Sequence, residues 1–253
     1  MGHPTSGDSL RRSHYFQVMP IVLLALVLVG FGRTFFLRPL FPVPPISWYL
    51  YLHGAVQVSW FLLLIAQTQL IARGRAALHR RLGAVGAVLA VLVVGVSFVS
   101  VLRLPGHFKS GHLSIDAPFD LKAILAIFWH DLASLIVMTV FLATALALRR
   151  RTAVHKRLML FASNLIVAPA VPRIALLLAS GLKLFASPPA QVLLTVAVVI
   201  VVLPLTLVAH DLATIRRVHP ATLAGITGSL FTGIAGAALG ASAAGQAIFI
   251  ALE

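Results

Sequence analysis

Long apolar runs punctuated by short basic clusters constrain this chain more than any other feature. Seven stretches, residues 18–37, 46–72, 82–102, 121–148, 158–182, 190–212 and 221–252, are long and apolar enough to be read as helices that cross a bilayer. A helix needs about 20 apolar residues to do so, at roughly 1.5 Å rise per residue. A soluble domain carries about 25% charged residues; this chain has 10%, with 60% hydrophobic residues. That much apolar surface has no place in a water-soluble core of this size. The chain has no cysteine, which removes disulfide frameworks, thiolate metal sites, iron–sulfur clusters and cysteine nucleophiles. The expected fold is therefore an all-α integral membrane protein with seven transmembrane helices.

The net charge of +14 is distributed as membrane topology requires and not as a nucleic-acid-binding face, so no nucleic acid partner is expected. Arg11 and Arg12, Arg73 to Arg81, Arg149 to Arg157, and Arg216 with Arg217 fall in alternate connections, which hold 13 basic residues against 6 in the others. This places the N-terminus inside and the C-terminus outside. Residues 1–16 read as a cytoplasmic tail and 17–253 as one membrane domain. The first apolar run has no small-x-small cleavage site after it and reads as an uncleaved helix. The four prolines between Pro39 and Pro45 read as a stiff link, and residues 103–120 form the one long polar loop. Gly236-x-x-x-Gly240 in the last, Gly/Ala-rich run offers a backbone-close face for another helix, within the chain or in a second copy.

Two segments repeat. His53 is followed 26 residues later by His79-Arg80-Arg81-Leu82, and His130 is followed 25 residues later by His155-Lys156-Arg157-Leu158. Each segment is a helix, a basic turn and a second helix, in the same orientation. Residues 46–102 and 121–182 therefore read as a parallel two-helix repeat, spans 2–3 matching spans 4–5. His53, Gln57, Trp60, Leu64 and Gln67 recur at helical spacing and form a polar stripe. The equivalent stripe is His130, Ser134, Val137, Phe141 and Thr144. Such faces belong in the bundle interior, because hydrocarbon leaves donors unsatisfied.

Two histidine pairs follow, each at one expected depth. An imidazole pair can ligate haem iron or another metal, relay protons, or serve as structural hydrogen-bonding groups. His53 and His130 sit beside small residues and suit an axial pair. His79 and His155 lie among arginines and lysines and also read as interfacial helix-start residues. Arg173, after Pro169 and Pro172 in the fifth span, needs a partner: an anionic ligand such as a haem propionate, or Asp131.

One histidine in each of four consecutive helices resembles the dihaem cytochrome b561 family, as does His53-Gly54-x5-Trp60 followed by Ile71-Ala72-Arg73. The resemblance implies that His53 and His130 hold one haem b and His79 and His155 a second, with electrons passing across the membrane. His79 and His155 lie at the edge of the inner loop and not within their helices, so one haem, or none, is equally an expectation. The His53…Trp60…Gln67…His79-Arg80-x-x-Gly83 run is similar to a group of uncharacterised bacterial polytopic membrane proteins. His155-Lys156-x-Leu158-Met159 resembles small factors that assist terminal-oxidase assembly.

These readings lead to a b-type cytochrome-like electron carrier in a bacterial inner membrane, working with membrane lipids and a redox partner or respiratory complex. A non-redox accessory or assembly protein is the first alternative. A small-molecule or ion transporter built on the repeat is the second. There is no phosphate-binding glycine loop, nucleophile elbow or pair of carboxylates within the spans to support a nucleotide-dependent enzyme or hydrolase.

Overall fold

The computed structural model describes residues 6–43, 45–110, 121–182, 198 and 201–252. Among them there are helices and no strand. The helices are α1 (Ser6–Gly30), α2 (Trp48–Ala72), α3 (Ala76–Leu102), α4 (Leu104–Lys109), α5 (Leu121–Ala147), α6 (Thr152–Val167), α7 (Ala170–Leu182), α8 (Leu203–Ile215), α9 (Pro220–Ala241) and α10 (Ala243–Ala251). Four of them, α2, α3, α5 and α9, are long and apolar enough to cross a membrane.

Where the described helices depart from the apolar runs, the backbone gives the reason. The segment read as a tail is helical from Ser6 onward. The run over 158–182 is two helices, broken at Ala168 and Pro169. Pro169 and Pro172 lack the N–H groups that would continue the ladder. The last run is also two helices. Ser242 leaves helical geometry (φ −86°, ψ 146°) and its hydroxyl accepts from Gly245 N, capping α10. Helix α10 then folds back on α5, with Phe249 fully buried against Phe128 and Trp129 Nε1 donating to Gly245 O at 3.3 Å. Ser242→Ala removes this cap and should cost about 1 kcal/mol. Faster amide exchange confined to 243–251 would show it, and unchanged exchange there would count against the cap. The run over 190–212 is represented by α8; most of the rest lies outside the described residues.

Packing centres on α5, whose most extensive neighbour is α9 and which also meets α6 and α3. Glycines set the α5–α9 distance. A Cβ on Gly236 would come within 2.7 Å of His130 Cβ, and one on Gly240 within 2.9 Å of Ala126 backbone. The Gly236-x-x-x-Gly240 face is thus used within the chain. Large apolar side chains also face outward, with Val91 71% exposed and Ile234 68%, a surface suited to lipid and not to water.

The α2–α3 turn is a Schellman motif. Gly74 takes a positive φ of 70°, Arg75 N donates to Leu70 O at 2.8 Å, and Gly74 N donates to Ile71 O at 3.0 Å. A side chain at Gly74 would be strained in that conformation.

Candidate functional site

A cavity of about 260 Å³ lies where α1, α2, α3, α5, α6 and α7 converge. Two irregular segments border it. One is a π-helical turn, Gly32–Phe36, that follows α1 and supplies Thr34, Phe35 and Phe36. The other is the α6–α7 break, which supplies Pro169 and Arg173. Phe31, Leu50, Met138 and Leu165 make much of the wall apolar, while His53, Gln57, Ser97, Ser100, Asp131 and Ser134 add polar groups.

Three of the polar side chains are held by bonds within the helices around the cavity. Ser100 Oγ donates to Val96 O at 2.9 Å and lies 3.2 Å from His53 Nδ1. The serine proton is already committed, so His53 Nδ1–H donates and Nε2 is left as an acceptor. Gln57 Nε2 donates to Ser97 Oγ at 2.7 Å, fixing the amide so that Oε1 has no partner. Arg173 donates from one terminal nitrogen to Pro169 O at 2.6 Å, and its guanidinium carbon lies 4.4 Å from the Phe31 ring centre. Arg173 Nε and Thr34 Oγ1 are buried without a partner. Three residues from three separate segments, each with an orphaned polar atom, therefore line one cavity. Each costs about 1–3 kcal/mol if nothing satisfies it, so a polar occupant is expected there.

Asp131 and Arg173 attract one another across this space. They share the cavity without closing a direct ion pair. Asp131 also feels His130.

Of the histidine pair expected at this depth, the cavity takes one directly, and His130 Nε2 lies 3.4 Å from Ser134 Oγ on its wall. His53 lines the cavity and His130 does not. One residue along a helix is a rotation of about 100°. His130 stands with Ala126, Val137 and Phe141 on the seam against Gly236, Gly240 and Gly228 of α9, while Asp131 is turned to the cavity.

His79 and His155 are close enough to influence one another, but both are engaged at helix turns. His155 Nδ1 donates to Ala145 O at 2.9 Å, tying α6 to the end of α5. His79 Nδ1 lies 3.4 Å from Gln67 O. The Gln67 side chain accepts from Gly83 N at 3.0 Å, and its amide nitrogen donates to His79 O at 3.2 Å and to His79 Nδ1. The Gln67…His79…Gly83 spacing is accounted for as a strap that closes the α2–α3 hairpin. Trp60 of the same run donates to Ser163 Oγ at 3.0 Å, fastening α2 to α6.

The sequence reading missed a second buried polar centre at the start of α6. Arg157 and Asp211 are 3% and 0% exposed and form a two-toothed ion pair, with Arg157 Nε 3.1 Å from Asp211 Oδ1. Thr222 Oγ1 donates to Asp211 Oδ2 at 2.5 Å and His219 N donates to it at 3.1 Å. Beside this centre, Lys156 lies over Phe16 and Tyr15 stacks on His210. Arg157 read as a topology residue in a basic cluster, and no spacing rule links it to a carboxylate 54 positions away.

Comparison with family models, with curated proteins and with solved structures finds no match to this chain. Among the described residues no three His, Asp or Glu side chains gather as a metal site.

Proposed function

We propose that this is a seven-span membrane carrier, N-terminus inside, in a bacterial inner membrane, which binds a small polar solute in the α1–α7 cavity. The observation that carries the reading is that Arg173, Gln57 and Thr34, each with a buried polar atom that has no partner, all line that cavity. Two further features support it. The cavity is bordered by interrupted helices, the arrangement in which membrane carriers expose main-chain and side-chain polar groups to a solute. The described helices also carry many large apolar side chains on their exposed faces, as a lipid environment requires.

Purified protein in detergent, screened against amino acids, short carboxylates, amines, sugars and nucleosides, is expected to gain thermal stability with one of these classes. A ligand at 100 times its Kd adds about 2.7 kcal/mol. Ser134 is buried on the cavity wall, and Ser134→Phe fills the space and should remove the gain. A panel with no stabilising member, or a gain that survives Ser134→Phe, would overturn the reading. Oxidised and dithionite-reduced spectra of the same preparation, made with haem supplied, are expected to lack a stoichiometric Soret band. A full-occupancy band would restore the electron-carrier reading in place of this one.

A further inference from the structure

We infer that the solute is a small zwitterion with an apolar body, of the kind represented by an aliphatic α-amino acid. This rests on the cavity being a solute site. The argument begins with charge. The cavity holds one carboxylate, Asp131, and one guanidinium, Arg173. They attract each other but form no direct pair. In a low-dielectric interior, separated opposite charges are each exposed to the full cost of lost hydration unless something polar bridges them. A solute of net charge would unbalance the site. A zwitterion places an anionic end against Arg173 and a cationic end against Asp131, and leaves the total at zero.

The remaining polar atoms have matching sense. Arg173 Nε–H is a spare donor for a carboxylate oxygen. Gln57 Oε1 and His53 Nε2 are acceptors, suited to an ammonium group, and the bonds to Ser97 and Ser100 hold them in that sense. Thr34 Oγ1 serves as donor or acceptor. Phe31, Leu50, Met138 and Leu165 leave an apolar wall for a branched or aliphatic side chain. A sugar or nucleoside would strand polar groups on that wall and leave Asp131 and Arg173 unneutralised.

The test compares L-leucine with its two halves: 3-methylbutan-1-amine, which lacks the carboxylate, and 4-methylpentanoate, which lacks the ammonium. Titration calorimetry on the wild-type protein in detergent needs no variant. Leucine is expected to bind at least ten-fold more tightly than either half. Arg173→Gln should abolish its advantage over the amine, and Asp131→Asn its advantage over the carboxylate, in variants whose helical circular dichroism is unchanged. Equal binding of leucine and one half would overturn the inference. So would leucine failing to bind while another solute of the panel binds and is lost in Ser134→Phe; there the cavity remains a solute site and only the class is wrong. If no solute of any class binds, both the inference and the carrier reading fall.

Discussion

Asp211→Ala destabilises the protein by about 3–5 kcal/mol, the usual result of removing one member of a buried ion pair. The substitution leaves Arg157 as an uncompensated charge at 3% exposure, held by its bond to Ala153 O and lying over the Phe16 ring. It also strips the acceptor from Thr222 Oγ1 and His219 N. The loss spreads over α6, α8 and α9 at once. For a chain of this size, about 1 kcal/mol moves a melting temperature by roughly 2–4 °C, so a fall of roughly 10 °C is expected in detergent. Replacing both partners by apolar residues, Arg157→Met with Asp211→Leu, should recover most of it, because desolvation and attraction disappear together. A single variant that melts with the wild type would mean that Arg157 reaches water when the carboxylate is gone.

Gly236→Leu is expected to have the second-largest effect. Overpacking usually costs about 1–3 kcal/mol where side chains can shift. Here the obstructing atoms include His130 Cα at 2.9 Å and N at 3.0 Å from an added Cβ, and backbone within a helix cannot give way. Helix α9 must move off α5, its main neighbour. Gly95 is the control. It is helical and has nothing within 4 Å of an added Cβ, so Gly95→Ala should be neutral or gain up to about 1 kcal/mol from helix propensity. Opposite signs at two helical glycines, read from unfolding in one detergent, would isolate interhelical spacing as the cause. A tolerated Gly236→Leu would refute the tight seam.

How far the sequence could be read depends on whether the relevant physics is local. Helical character followed from apolar runs too long for anything else, whereas the fifth run reads as one span and is broken at Ala168 and Pro169. The stripe of His53, Gln57 and Trp60 had to face inward, since hydrocarbon satisfies none of them, and all three are engaged inside the bundle. The fourth span was different. Its stripe was matched to the second by repeat position, but helix α9 packs on α5 and takes that side of it. The neighbour a face receives is a property of the whole bundle. Thus the residue next to His130, Asp131, is the one on the cavity. The α9–α10 break at Ser242 was hidden because Gly, Ala and Ser suit both a helix and its interruption. Arg157 with Asp211 was hidden because pairing across helices leaves no trace in spacing.

The turn after α1 makes the cavity wall a matter of winding. Phe36 N donates to Phe31 O and Leu37 N to Gly32 O, one residue further back than an α-helix allows. This extra residue per turn brings the Phe35 ring against Gly54, where even a methyl group would collide with it, and leaves Thr34 on the cavity wall. If the same residues returned to the four-residue ladder, everything beyond Gly32 would rotate by about 100° about the helix axis. Phe35 would leave its notch and Thr34 would quit the wall, with no bond broken but those of the turn itself. The chamber is therefore bounded on one side by a turn with two miscounted hydrogen bonds, and glycine at position 54 is the seat that keeps the count.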